Sequence, residues 1–258
     1  MKSYSLIDRP FLMKYLFYPR KDFQDCPPRA FDCSIPVDKD VDISARFYVH
    51  EKSCPWVLYF HGNGEVVCDY DNIAPFYNNQ NINLVVADYR GYGNSGGTPS
   101  FENIIKDAHT LFKAVKEELD RRGFPKDLWI MGRSLGSISA LELASSYPDE
   151  IKGFVIESGF ISVVRLIRHL GIPAPGIDLD KLDQECLEVV RGISLPALVI
   201  HGQMDNLVPV QEARLLYENL GSEQKDILII PYADHNNVII IDSDQYFKAI
   251  QKFIKETG

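Results

Sequence analysis

The chain alternates short, uniformly apolar segments with helical ones, and this alternation restricts the folds open to it. Six β-rich apolar runs recur, at Trp56–Phe60, Leu84–Ala87, Leu128–Met131, Gly153–Ile156, Ala197–Ile200 and Ile227–Ile230. Strands that are apolar throughout are covered on both faces, and helices between them indicate a mostly parallel sheet. With an antiparallel pair predicted ahead of them, at Arg29–Ile35 and Val41–His50, the sequence predicts an α/β fold of about eight strands.

Amphipathic helices are predicted between the strands. In Ser100–Arg122 the apolar residues recur at spacings of three and four, which is the pattern of a helix packed on one face. Further helical patterns occupy Ser137–Tyr147, Val210–Leu220 and Asp242–Glu256.

One interval, 158–195, has no strand pattern. It holds two short helical patterns, Val163–Leu170 and Leu182–Arg191, separated by the Pro/Gly loop Gly171–Gly176. This stretch is too short for a domain of its own. We therefore predict a single domain, residues 1–258, with a small helical cap inserted at 158–195 over the end of the sheet.

The composition excludes several classes of protein. Of 258 residues, 45% are hydrophobic and 24% are charged, which is typical of a soluble globular chain. The net charge of −9 argues against a nucleic-acid partner. No apolar run reaches the roughly 18–20 residues that span a bilayer. The stretch Phe11–Phe17 is interrupted by Lys14 and is expected to pack in the core.

The five cysteines are widely spaced and form no C-x-x-C pair, as in a reduced cytoplasmic protein. We expect a cytoplasmic protein without an integral membrane segment. No H-E-x-x-H, paired cysteines or histidine cluster is present, so neither a metal nor a cofactor is expected. The oligomeric state stays open.

The segment Gly132–Gly136 fits the pattern G-x-S-x-G between a predicted strand and a predicted helix. A turn this tight strains its central residue and requires small neighbours. It would expose Ser134 at the carboxyl end of the sheet, where open α/β folds bind ligands. The backbone N–H of Leu135 would then face a developing oxyanion. The sequence predicts that Ser134 is a nucleophile.

A serine nucleophile needs a base, and the base needs an acid. His235 is the only one of six histidines placed after the last predicted strand. Asp205 follows the preceding predicted strand and is the favoured acid. Glu157 is the reserve candidate, whereas Asp234 adjoins His235 too closely to orient its ring. The order Ser134, Asp205, His235 is the order expected in α/β-hydrolases.

A second oxyanion donor is expected in the loop after the first parallel strand. That loop reads His61-Gly62-Asn63-Gly64-Glu65, and its glycines allow the backbone to approach a substrate closely. We assign the donor to the backbone N–H of Asn63.

The segment Gly91–Gly96 matches the dinucleotide pattern G-x-G-x-x-G. A dinucleotide site would need these glycines to open a helix in the first βαβ unit. Here Gly97, Thr98 and Pro99 extend the loop, and the helix begins only near Ser100. A turn-rich loop is therefore the favoured interpretation.

The chain resembles the α/β-hydrolase superfamily over essentially its whole length. It is most similar to the small single-domain serine hydrolases of the bud-emergence-related branch, near the prolyl-oligopeptidase-like proteins. The segments that carry the resemblance are LFYPR (16–20), YFHGNGE (59–65), ADYRGYGNSGG (87–97), MGRSLG (131–136), HGQMDNLVP (201–209) and ADHNN (233–237).

This resemblance implies a triad of Ser134, Asp205 and His235 and an oxyanion hole of the Asn63 and Leu135 amides. One departure is Ala233-Asp234, where such proteins often have Gly-Gly or Ala-Gly, and it is expected to stiffen the histidine loop.

These residues predict a serine hydrolase that cleaves an acyl ester or thioester of a small molecule through an acyl-enzyme intermediate. The alternatives are a serine peptidase or acyltransferase with the same triad, or a non-catalytic binding module with this fold. Because the interval 158–195 is short, we expect an open site for short acyl groups. Five apolar residues are expected to line it: Val163, Leu166, Ile167, Leu170 and Ile172.

Overall fold

The computed structural model describes residues 4–258, and a single mixed sheet runs through them. Its eight strands are β1 Ala30–Asp38, β2 Val41–Tyr48, β3 Trp56–Phe60, β4 Asn83–Ala87, β5 Leu128–Arg133, β6 Phe154–Glu157, β7 Ala197–Gly202 and β8 Lys225–Ile230. They lie in the order β1-β2-β4-β3-β5-β6-β7-β8. Among these eight strands only the β1–β2 and β2–β4 pairs are antiparallel, so β2 runs against the direction of the other seven. The predicted eight-stranded, mostly parallel sheet is confirmed.

Nine α-helices are found within residues 4–258. They are α1 Pro10–Leu16, α2 Ala74–Asn78, α3 Phe101–Arg122, α4 Ser137–Ser146, α5 Val163–His169, α6 Leu179–Gly192, α7 Val210–Asn219, α8 Val238–Ile241 and α9 Ser243–Thr257. The longest, α3, begins where the Ser100 hydroxyl accepts a hydrogen bond from the Asn103 amide, at 3.1 Å. It ends at Gly123, whose φ of +70° suits the left-handed end of a helix.

The sheet is covered on both faces, which explains its uniformly apolar strands. In β3, Trp56 and Leu58 belong to the hydrophobic cluster that includes α3, α4, α6 and α7, whereas Val57 and Tyr59 belong to the cluster that includes α2 and α9. Successive side chains of a strand point to opposite faces, so a strand between two helical layers is apolar at every position. None of the helices within residues 4–258 is long and apolar enough to cross a bilayer.

The two predicted helices of the interval 158–195 are present as α5 and α6. Helix α6 packs against α4 and α7, so it belongs to the layer that flanks the sheet. Within the interval 158–195, only α5 and the loop after it remain to form a cap. The extent of the cap stays a prediction.

Helix α1 only partly follows the expectation of core packing. Leu12 and Leu16 are buried, but Phe11 and Tyr15 are exposed. In a helix this short only one face can reach the core. Because nearly every residue of Phe11–Phe17 is apolar, the sequence does not show which of them lie on that face.

Candidate active site

Ser134 occupies a strained turn between β5 and α4. Its φ of +50° lies in the left-handed region, which is rare for a residue other than glycine. A Cβ on Gly132 would overlap the carbonyl of Gly136, and a Cβ on Gly136 would overlap the carbonyl of Phe60. Both glycines are therefore required by the close approach of the backbone, and the turn presents Ser134 at the carboxyl end of the sheet.

Of the three residues expected to form a triad, His235 lies within hydrogen-bonding distance of each of the other two. Nε2 of His235 is 3.0 Å from Oγ of Ser134, and Nδ1 of His235 is 2.7 Å from Oδ2 of Asp205. Ser134 follows β5, Asp205 follows β7 and His235 follows β8, so the three residues come from separate strands of the sheet. All three are buried, so water competes little for these hydrogen bonds.

The Asp205 carboxylate is held by several donors. Its Oδ1 accepts hydrogen bonds from the amides of Leu207 at 2.9 Å and Val208 at 2.8 Å. Its Oδ2 also lies 3.3 Å from Nε2 of His201. Burial raises the pKa of Asp205, but the hydrogen bonds from His201, His235 and the Val208 amide outweigh burial and hold that pKa well below its usual value. Asp205 is therefore ionised at neutral pH.

The loop that carries His235 lies along the end of β7. The carbonyl of Ala233 accepts a 2.8 Å hydrogen bond from the Met204 amide, and a Cβ on Gly202 would overlap the same carbonyl. Asp234 hydrogen-bonds within its own turn, where its Oδ1 accepts from the Asn236 amide at 2.8 Å. The Ala-Asp pair is thus accommodated, with Ala233 buried and Asp234 exposed.

Glu157, the reserve acid, contacts other groups. Its Oε2 accepts hydrogen bonds from the hydroxyls of Tyr246 at 2.6 Å and Tyr59 at 3.2 Å, and its Oε1 lies 3.3 Å from Nε of Arg133. The carboxylate within reach of the His235 ring is that of Asp205.

The Asn63 loop is tied to the N-terminal segment. The Asn63 side chain accepts hydrogen bonds from the Tyr18 amide at 2.9 Å and the Tyr92 hydroxyl at 2.6 Å, and donates one to the Leu16 carbonyl at 3.1 Å. Among residues 4–258, the backbone N–H of Asn63 donates to no protein acceptor. Leu135 is the second residue of the 3₁₀ helix Ser134–Gly136, and the first amides of a helix have no acceptor within it.

Two further residues near the site did not stand out in the sequence. Arg133 is the variable residue just before Ser134, and its buried guanidinium contacts Glu65 and donates a 2.6 Å hydrogen bond to the carbonyl of His235. Glu65 ends the Asn63 loop, and its Oε2 accepts a 2.8 Å hydrogen bond from the Gly62 amide. Burial raises the pKa of Glu65, but Arg133 and the neighbouring donors hold it below its usual value. In the sequence, Arg133 and Glu65 are marked only as charged residues next to a glycine of the two loop motifs.

A small cavity of about 70 Å³ lies between α5 and the segment that follows Asp205. Phe160, Leu166 and Leu207 contribute apolar surface to it. Of the other residues expected there, Val163 and Ile167 pack in the hydrophobic core and Leu170 is exposed. A larger pocket of about 440 Å³ lies between α2 and α8, with Arg133 and Glu157 among its lining residues.

The segment Gly91–Gly96 forms a loop, and the helix after it begins only at Phe101. The interpretation as a turn-rich loop is correct. One group of side chains within residues 4–258, Asp22, Cys68 and Asp69, brings potential metal ligands together. The Arg20 guanidinium forms ion pairs with both carboxylates, so each of them already has a cationic partner.

Comparison with known proteins gives a family match and several relatives. The model of the family described as serine aminopeptidase, S33 (Hydrolase_4), matches residues 51–176. Protein bem46 of Schizosaccharomyces pombe is 30% identical over 213 residues, which are 80% of this chain and 69% of that one. The uncharacterized membrane protein YNL320W of Saccharomyces cerevisiae is 31% identical over 191 residues, 71% of this chain and 64% of that one.

Among solved structures, the esterase Pf2001 of Pyrococcus furiosus superposes with a TM-score of 0.75 at 20% identity, covering 93% of this chain and 98% of that one. At that identity the likeness shows the fold. The family match and the similarity to Protein bem46, taken together with this fold, show that the chain is an α/β-hydrolase of the bem46 branch.

Proposed function

We propose that this protein is a serine hydrolase that cleaves acyl esters or thioesters of small molecules. The observation that carries the proposal is the continuous contact from Ser134 Oγ through the His235 imidazole to the Asp205 carboxylate, at 3.0 and 2.7 Å. An activated serine requires a base within hydrogen-bond reach and a third group that orients the base.

In the proposed reaction, Nε2 of His235 takes the proton of Ser134 as Oγ attacks the acyl carbon. Asp205 fixes the tautomer of the imidazole and stabilises its protonated form. The amides of Asn63 and Leu135 would hold the oxyanion. His235 then protonates the leaving group, and a water molecule that it activates hydrolyses the acyl-enzyme. These steps require no cofactor.

The small cavity beside α5 supports a preference for short acyl groups. Its volume of about 70 Å³ is about half of the roughly 150 Å³ that accommodates benzene in an engineered core, so it encloses only the first few carbons of an acyl chain. We propose acyl groups of two to six carbons. A longer chain would leave apolar surface in water, and would gain little from the approximately 25 cal/mol per Å² that burial provides.

Two alternatives use the same fold. A serine peptidase or acyltransferase would employ the same three residues, and the family matched over residues 51–176 is described as an aminopeptidase family. A non-catalytic binding module would have no need for the strained serine turn. We favour an ester or thioester because the cavity beside α5 is small and partly apolar.

Labelling with a fluorophosphonate tests the nucleophile. We expect the wild-type protein to react at Ser134 and Ser134→Ala to lose both labelling and nearly all hydrolysis. Ser146→Ala is the matched control, because Ser146 is exposed at the end of α4. Undiminished labelling of Ser134→Ala would place the nucleophile elsewhere. Comparing p-nitrophenyl esters, acyl-CoA thioesters and aminoacyl amides would then separate esterase, thioesterase and aminopeptidase.

We also propose that the protein acts in the cytoplasm, on the basis of its acidic composition and of five widely spaced cysteines that form no C-x-x-C motif. One relative is called a membrane protein, so the proposal needs a direct test. Fractionation of cells should recover the protein in the supernatant at high speed, and recovery in the membrane pellet would contradict the proposal.

A further inference from the structure

The guanidinium of Arg133 joins three parts of the site. Its Nη2 donates to the His235 carbonyl at 2.6 Å, its Nη1 contacts Glu65, and its Nε lies 3.3 Å from Oε1 of Glu157. Only 8% of the residue is exposed. Arg133 directly precedes Ser134 in the chain, but its side chain reaches residues 68 and 102 positions away.

The loop carrying His235 has a long distance to cross. It leaves β8, which is the third neighbour of β5 in the sheet. At about 4.8 Å between strands, β8 lies roughly 14 Å from the strand that presents Ser134. The Ala233 carbonyl attaches the loop to the end of β7. At the end of β5, Arg133 attaches the loop through the carbonyl of His235, the residue whose ring contacts Ser134.

The same guanidinium reaches the loop on the other side of Ser134. Glu65 contacts Nη1 of Arg133 through Oε1 and accepts the Gly62 amide through Oε2, at 2.8 Å. Gly62 directly precedes Asn63, the proposed oxyanion donor. A planar guanidinium with several fixed donors can set the separation of two such groups, which a single flexible ammonium cannot do.

We infer that Arg133 is a positioning residue that holds the His235 loop and the Asn63 loop at a fixed separation on either side of Ser134. This inference rests on the proposed function. Arg133 does not touch the reacting atoms. Its effect is to keep the imidazole and the Asn63 amide in register with Ser134 Oγ, so that the base and the oxyanion donors act on one acyl group.

The alternative is that Arg133 only neutralises buried carboxylates. Lysine separates the two roles, because it retains the positive charge beside Glu65 and Glu157 but cannot bridge them to the His235 carbonyl. Arg90 offers a matched control. It is 7% exposed and pairs with Asp107 at 2.7 Å, and none of its hydrogen bonds within residues 4–258 involves the triad or the Asn63 loop.

The test compares Arg133→Lys and Arg90→Lys in the full chain, with p-nitrophenyl acetate as substrate. For Arg133→Lys we expect kcat to fall by about 10²-fold with KM changed less than about threefold, since a misplacement of about 1 Å costs this much. For Arg90→Lys we expect a lower Tm and a kcat within about twofold of wild type. The downfield proton resonance of His235 Nδ1, assigned with His235→Ala, should broaden or shift only in Arg133→Lys.

A kcat for Arg133→Lys within twofold of wild type, or an unshifted His235 resonance, would overturn the inference. If Arg133→Lys fails to fold, Glu65→Gln tests the other end of the connection. It should lower kcat by about tenfold, because a charge-assisted hydrogen bond is lost, and an unchanged kcat would again overturn the inference. A wild-type protein that neither hydrolyses esters nor reacts with a fluorophosphonate overturns the proposed function itself.

Discussion

Nδ1 of His235 and Oδ2 of Asp205 are 2.7 Å apart, and the carboxylate that makes this contact is fixed from its other side. The Leu207 and Val208 amides bind Oδ1, so the carboxylate cannot rotate away from the imidazole. Asp205 is thus both ionised and oriented without a substrate, and the proposed mechanism requires this of the group that stabilises a protonated His235.

Replacement of Asp205 by asparagine should reveal this role. We expect Asp205→Asn to reduce kcat by about 10⁴-fold, because the amide favours the wrong tautomer of the imidazole. Glu157→Gln should cost far less, since Glu157 bonds Tyr59, Tyr246 and Arg133. Steady-state kinetics on an activated ester measures both, and a larger loss in Glu157→Gln would identify Glu157 as the acid.

The lowered pKa of Asp205 also predicts how stability depends on pH. A carboxylate whose pKa is lower in the folded than in the unfolded state stabilises the fold above its unfolded pKa. That stabilisation is lost as the pH falls from about 4 toward the folded pKa. Urea unfolding of wild type and Asp205→Asn should therefore differ most near pH 7 and converge at acid pH. A difference independent of pH would contradict the ionised state of Asp205.

Gly136 should tolerate no side chain. In Gly136→Ala the new Cβ would overlap the Phe60 carbonyl, which belongs to the strand beside β5. We expect a loss of at least 1–3 kcal/mol of stability, as in other overpacked cores, together with loss of fluorophosphonate labelling. Gly192→Ala is the control: its Cβ would meet no atom within 4 Å at the end of α6. It should be neutral or stabilising by up to about 1 kcal/mol, as measured by chemical denaturation.

The Tyr92 hydroxyl should matter for catalysis through Asn63. It donates a 2.6 Å hydrogen bond to the Asn63 side chain and accepts one from the Tyr18 amide at 3.1 Å. Tyr92→Phe removes both, so the oxyanion loop should loosen and kcat should fall by up to about tenfold with little change in KM. Tyr77→Phe, whose hydroxyl meets Tyr246, controls for the loss of a buried hydroxyl. Equal effects in the two variants would exclude a specific role for Tyr92.

Acyl-chain preference should follow the small cavity beside α5. On p-nitrophenyl esters, each buried methylene would add up to about 0.8 kcal/mol to transition-state binding, and we expect this gain to stop at about six carbons. Leu166→Ala should move the limit to longer chains because Leu166 lines the cavity. Leu170→Ala, at a side chain on the same segment that is 44% exposed, should not. A kcat/KM that rises steadily to twelve carbons in the wild type would contradict the short-chain proposal.

The order of elements could be derived from the sequence alone. Uniformly apolar runs determine the strands of a doubly covered sheet, and apolar residues at spacings of three and four determine helices such as α3. The strand–turn–helix around Ser134 could also be predicted from the sequence, because the tight turn requires Gly132 and Gly136 locally. Asp205 and His235 followed from their positions after successive strands, since parallel strands end at one edge of the sheet.

The connections between these elements could be decided only by the tertiary structure. Arg133 contacts Glu65 and the His235 carbonyl across separations of 68 and 102 residues, and no periodicity encodes such a contact. Glu157 ends β6 and Asp205 follows β7 at the same edge of the sheet. Only the path of the His235 loop along β7 brings the ring to Asp205. Local pattern thus determines where functional residues stand in each element, whereas packing between distant elements determines which of them meet.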